Sequence, residues 1–152
     1  NMIVRLEWRG EERRYWQERD ADGFSHTVSF RPTYAVGPHV LVADVGVEAH
    51  DADAGDETYD KWFATLAYQL SLPWAMSVRT AYTYENWLFE KPTVFANQRR
   101  RDQVHEVSVA LRKLITRQIA VDLKHMYENS HSNSDLYDYD RNVTSLSLTV
   151  AF

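Results

Sequence analysis

The chain has 152 residues and no cysteine, with 22 Asp+Glu against 17 Lys+Arg for a net charge of -5. Its length suits a single domain spanning residues 1–152, the missing cysteines exclude a disulfide framework or thiolate metal site, and the acidic balance argues against a nucleic-acid partner. No apolar run approaches the ~20 residues of a membrane helix and no signal peptide is present, yet a mean hydropathy of -0.52 still permits a barrel, which turns only alternate residues to lipid.

Period-two alternation predicts eight strands, over residues 2–16, 24–35, 39–50, 60–71, 74–88, 102–113, 117–129 and 140–152. The first sets Met2, Val4, Leu6 and Trp8 against Arg5, Glu7 and Arg9. The second sets Phe24, Val28, Phe30 and Tyr34 against Arg31, and the third sets Leu41, Val45 and Val47 against Asp44 and Glu48. In the fourth and fifth, Trp62, Leu66, Tyr68, Leu70, Trp74, Met76, Val78, Tyr82 and Tyr84 face away from Lys61, Arg79 and Glu85. The sixth opposes Val107, Val109 and Leu111 to Glu106 and Arg112. The seventh opposes Ile119, Val121, Leu123 and Tyr127 to Asp122, Lys124 and Glu128. The last alternates without a break, Leu146, Leu148, Val150 and Phe152 against Ser145, Ser147, Thr149 and Ala151.

The connections fall into two alternating classes. Three are tight, at Val36-Gly37-Pro38, Leu72-Pro73 and Leu114-Ile115-Thr116; four are longer and polar, at 18–23, 51–59, 89–101 and 130–139. Short turns at one end and long loops at the other are the layout of an outer-membrane β-barrel, periplasmic turns opposite external loops. Aromatics gather near the segment ends with aliphatics between, as in the interfacial girdles of a membrane protein. Lysines are few (Lys61, Lys91, Lys113, Lys124) for an ordinary solvated surface.

The predicted fold is therefore all-β, an antiparallel up-and-down transmembrane barrel whose lumen carries a charge network of Arg5, Glu7, Arg9, Arg31, Asp44, Glu48, Arg79, Glu85, Glu106, Arg112, Asp122, Lys124 and Glu128. Eight strands close around a lumen that side chains fill, and Phe63 and Trp87 are bulky enough to help plug it. Alternation alone does not say which face is inside, so a soluble lipocalin-like carrier with an apolar interior is the rival architecture.

The stretch from Ser132 to Asn142, ending Tyr137-Asp138-Tyr139-Asp140-Arg141-Asn142, together with the strand to Phe152, resembles the C-terminal hairpin of bacterial outer-membrane β-barrels. The resemblance implies that Leu148, Val150 and Phe152 form a signal read by the barrel assembly machinery and that the C-terminus is periplasmic. In detail it is similar to barrels fused behind helical tetratricopeptide repeats, such as surface lipoprotein assembly modifiers and related porins. Those barrels have more than eight strands, so the resemblance implies the last eight strands of a larger one. A first strand starting at Met2 without a leader fits a partial chain and also a mature small barrel.

Several groups invite chemistry. His125, Ser130, His131 and Ser132, with Glu128 or Asp135 as the acid, are candidates for a lipid A-modifying hydrolase. Their spacing departs from the lipid A deacylase pattern, where His and Ser stand two apart on one strand with Asn after the Ser; Tyr127 follows His125 at that spacing, and His131-Ser132-Asn133 falls in a loop. Asp135, Asp138 and Asp140, or Asp51, Asp53 and Asp56, lack the spacing of a calcium loop. No catalytic residue, metal or cofactor is assigned. Arg99, Arg100 and Arg101, in the third long loop, are candidates for contact with lipopolysaccharide phosphates, and His26 and His105 suit an interfacial position. The expected role is a scaffold or translocation pore for a secreted or surface-bound substrate. Its expected partners are outer-membrane lipid and lipopolysaccharide, the barrel assembly machinery, and other periplasmic or outer-membrane subunits.

Overall fold

The alternation of the sequence becomes the pleat of one antiparallel sheet. The structure, a computed structural model, describes residues 1–14, 22–53, 57–92 and 98–151. Its strands are β1 (Met2–Arg13), β2 (Gly23–Val36), β3 (His39–Ala52), β4 (Tyr59–Leu72), β5 (Met76–Pro92), β6 (Arg99–Leu114), β7 (Ile119–Ser132) and β8 (Tyr139–Val150), with a short 3-10 turn at Asp135–Tyr137. Each strand pairs with its neighbours in sequence, in the order β1 to β8.

Register locks the two faces across the whole sheet, because a one-residue slip would turn every side chain over. Trp8, Val28, Val47 and Trp62 stand directly opposite one another on β1 to β4. Leu70, Val78, Leu111, Leu123 and Leu146 do the same on β4 to β8.

Burial decides which face is inside. The apolar face is open, with Leu6 76% and Leu146 74% exposed, whereas Ser25, His50 and Glu48 on the polar face are 1%, 3% and 6% exposed. The polar face is also the concave one, since Arg13 on β1 reaches Glu48 on β3 and Tyr59 on β4. A lipocalin-like carrier needs the opposite arrangement, and that expectation is overturned.

The two classes of connection hold. One end has the turns 37–38, 73–75 and 115–118, and the other has 14–22, 53–58, 93–98 and 133–138. Gly37 turns at φ +54°, where a side chain is strained. Trp74 and Ala75 adopt φ 61° and 55° in the next turn, so β5 begins at Met76 and not at Trp74.

At the loop end the strands run further than expected on one flank. β5 extends to Pro92, β6 starts at Arg99 and β7 ends at Ser132. Apart from the buried Phe89 these stretches are mostly polar and read as loop, but side chains prolong the ladder: Asn133 Oδ1 accepts from Arg101 N at 2.9 Å and its Nδ2 donates to Arg99 O at 2.8 Å. β1 runs to Arg13, and Tyr15 and Trp16 of the expected first strand lie outside the described residues. Among the described residues no hydrogen-bonded pairing joins β1 to β8, so the sheet has two edges. Phe152 lies outside the described residues.

Candidate functional site on the inner face

The loop-end half of the inner face is built around Glu48. β3 places its carboxylate 2.9 Å from Arg13 Nη1 and 3.1 Å from Lys61 Nζ, while Tyr59 OH donates to it at 2.7 Å and Thr27 Oγ1 at 3.4 Å. Arg13 Nη1 also donates to Tyr59 OH at 2.7 Å. The carboxylate is nearly buried, and every oxygen is engaged by a charge or a hydroxyl, which is what a buried ion requires.

Aromatic rings extend this hub across β4 and β5. Tyr59 packs 4.5 Å from Trp87 and 5.6 Å from Phe89, and Lys61 Nζ sits 4.4 Å above the Trp87 ring. Trp87 Nε1 donates to Glu85 at 3.0 Å. Above Glu48, Ser25 Oγ lies 2.8 Å from His50 Nδ1, both fully enclosed. Gly46 is a spacing device: a Cβ there would come within 2.5 Å of Phe63 Cζ and 2.7 Å of Val28 O, so only glycine lets the Phe63 ring lie across β3.

A second hub occupies β6 to β8. Glu128 accepts from Tyr139 OH at 2.6 Å and Arg141 Nη2 at 2.7 Å. Arg100 donates to Asp102 at 2.8 Å, its guanidinium 3.5 Å from the Phe89 ring centre and 3.8 Å from that of Tyr137.

The turn-end half is sparser. Arg31 Nε bonds Asp44 at 2.9 Å, and Arg112 stands 3.8 Å from Asp122. Arg5 lies directly opposite Arg31. Arg5, Arg31, Asp44, Thr65 and Arg79 border an open groove of about 420 Å³.

By register, Arg5, Glu7, Arg9, Arg31, Asp44, Glu48, Arg79, Glu85, Glu106, Arg112, Asp122, Lys124 and Glu128 all project from the inner face. Ion pairs join Glu7 to Arg9, Arg31 to Asp44 and Arg112 to Asp122, and tie Glu48 and Glu128 to residues outside that set. Among the described residues, Arg5, Arg79, Glu85, Glu106 and Lys124 enter no ion pair, and Glu106 stands directly opposite Glu128. Sequence reasoning missed Arg13, Tyr59, Ser25, His50, Asp102 and Arg141, and gave Arg100 an outward lipid contact in place of its inward ion pair with Asp102. Strand parity was the available signal for Arg13, Ser25, His50, Asp102 and Arg141, which fall inside the predicted strands, whereas Tyr59 and Arg100 fall in stretches that read as loop.

Two expectations need correction. The arginine triplet is on β6 and not in a loop, so its members alternate: Arg100 is locked inward, and only Arg99 and Arg101 face outward. The hydrolase candidates are split by the pleat. His125 faces outward and bonds Thr144 at 2.8 Å, Ser130 is buried on the inner side, and His131 and Ser132 point to opposite faces as consecutive strand residues. They form no Ser-His pair. The loop carboxylates are occupied, Asp138 by Ser132 N and Asp140 by Tyr127 OH and Asn129 Nδ2. Asp56 lies outside the described residues, and among the described residues no group of three His, Asp or Glu is placed to hold a metal ion.

A wall with an exposed oily face, a charged concave face and two loop classes is the frame in which a family match acquires meaning. The model of the surface lipoprotein assembly modifier family matches residues 1–152. The chain belongs to that family. No curated protein and no solved structure matches it. Surface lipoprotein assembly modifiers are assembly factors and not a known enzyme family, and membership brings an outer-membrane setting and a role in the assembly of surface lipoproteins.

Proposed function

We propose that the chain is an arc of an outer-membrane β-barrel wall, and that surface lipoproteins pass or are held along its inner face on their way to the cell exterior. The observation that carries this reading is the inverted burial, aliphatic side chains exposed on the convex face and buried charges on the concave one. Such a sheet is unstable in water and suited to hydrocarbon outside and water or polypeptide inside.

Unpaired backbone groups cannot face lipid, so the edges at β1 and β8 take further strands, from the same polypeptide or a neighbouring subunit. The turn end is periplasmic and the loop end external. Leu148 and Val150 then stand on the lipid face of β8 near the periplasm, where, with Phe152, they offer the pattern read by the barrel assembly machinery. Lipid covers the convex face, lipopolysaccharide in the outer leaflet. The open groove beside Arg5, Arg31 and Arg79 faces the periplasmic entrance, and the knitted hubs line the exit.

The test is display of a surface lipoprotein on intact cells, followed by its digestion with added protease. Cells carrying the protein expose the lipoprotein, and cells lacking it retain the lipoprotein inside; equal digestion in both sinks the proposal. Replacing Arg5 and Arg79 together by Glu reverses the sign of the entrance and is expected to lower display at unchanged barrel level.

A further inference from the structure

On the convex face, just beyond the aromatic cluster of Tyr82, Tyr84 and His105, β6 presents Arg99, Arg101 and Gln103 at alternate positions, and β7 sets His131 directly opposite Gln103. With Gln98 and Asn133 they line a cleft of about 680 Å³. Among the described residues no carboxylate lines it. Among the described residues neither Arg99 nor Arg101 has an ion-pair partner, whereas at the same end Arg100 is held by Asp102 and Arg141 by Glu128. On their other side the same arginines border a second cleft that holds Lys91 and Arg100 together with Asp60 and Glu90, so its cations already have carboxylates beside them.

The backbone beneath is held firmly. Asn133 grips Arg101 N and Arg99 O, and Arg100, on the opposite face, is clamped by Asp102 between the Phe89 and Tyr137 rings. Below the cleft, toward the turn end, comes a polar row of His105 and Asn129 with Asp140 bonded to Asn129 and Tyr127, and past it the apolar side chains of Val107 and Val109. Cationic donors above and apolar side chains below match an amphiphile with its phosphate uppermost.

We propose that this cleft binds a phosphorylated glycolipid of the outer leaflet, of lipopolysaccharide type. Arg99 and Arg101 take phosphate oxygens through charge-assisted bonds, Gln103 and His131 meet the sugar, and acyl chains lie over Val107 and Tyr127. The inference rests on the loop end being external. It places one lipid at a fixed point on β6 and β7, outside the passage.

The test is retention of lipopolysaccharide by the purified full chain in detergent, read by native mass spectrometry, with barrel folding checked by the heat-modifiable gel shift. Wild-type protein is expected to retain lipopolysaccharide bearing both lipid A phosphates and to lose about tenfold or more of that retention when the phosphates are removed, the order expected for lost charge-assisted bonds. R99Q combined with R101Q loses a similar factor, and R14Q, which removes a paired charge at the same end, loses nothing. Should the double variant fail to fold, the comparison of phosphorylated and dephosphorylated lipid on wild-type protein decides alone. Equal retention of the two lipids overturns the proposal. Displacement of the lipid by inorganic pyrophosphate at matched phosphate concentration overturns the assignment to a lipid and leaves a free-phosphate site. Loss of the wall reading shows differently, as a convex face that is wet along its whole length.

Discussion

The two halves of the inner face are made from the same kinds of residue and behave differently. At the loop end, Glu48 and Glu128 each gather a tyrosine hydroxyl and at least one cation, and rings from Tyr59, Trp87 and Phe89 fill the space between. At the turn end, Arg5 and Arg79 border an open groove with no ion-pair partner among the described residues. Charge count does not separate the halves; enclosure does. Where aromatics exclude water, Glu48 and Glu128 are partnered at both oxygens, although among the described residues Asp102 in the same half and Asp44 beside the groove each keep one buried oxygen without a hydrogen bond. Where the wall stays open, water can satisfy Arg5 and Arg79.

The contrast is most sharply broken at Glu48. Glu48→Leu leaves Arg13 and Lys61 without their shared anion in an enclosed site, and the expected cost is about 3 kcal/mol, read as a lower urea midpoint of the folded band on a gel. Gly46→Val drives a side chain into Phe63 and the β2 backbone, at an expected cost of about 2 kcal/mol. Pairing it with Phe63→Ala should recover part of that loss, because it removes the ring atoms nearest the new Cβ. Ala75→Gly relieves a left-handed backbone in the second turn and is expected to raise stability by about 0.5–1 kcal/mol, read as a higher urea midpoint. Arg79→Gln, in the open groove, should change stability by less than about 0.5 kcal/mol. A large loss there would mean that the turn-end half is as tightly knit as the other.

The central part of every strand was legible in the sequence, because pleat parity alone puts Val45 and Val47 on one side and Asp44 and Glu48 on the other. The strand ends were less so: 99–101 and 130–132 are polar on both faces, and the ladder that continues through them shows in the backbone pairing and in the Asn133 side chain that caps it. Parity then decided two candidate sites, turning Arg100 away from Arg99 and Arg101 and separating His131 from Ser132. Long-range partners were not readable at all. Arg13 meets Glu48 and Tyr59 only because curvature carries β1 toward β3 and β4, and Ser25 meets His50 only through the β2–β3 register. The direction of the apolar face also required the fold, since alternation is the same in a lipocalin and in a membrane wall.

The central claim is that the convex apolar face lies in lipid while the concave charged face does not. The natural absence of cysteine allows single cysteines at Val47 and Val109 on the convex face and at Thr65 and Ser108 on the concave face, each carrying a fluorophore in reconstituted membranes. Quenching by lipid-borne bromine is expected at positions 47 and 109, with quenching by aqueous iodide at 65 and 108. Iodide quenching at 47 and 109 together with bromine quenching at 65 and 108 would contradict the account.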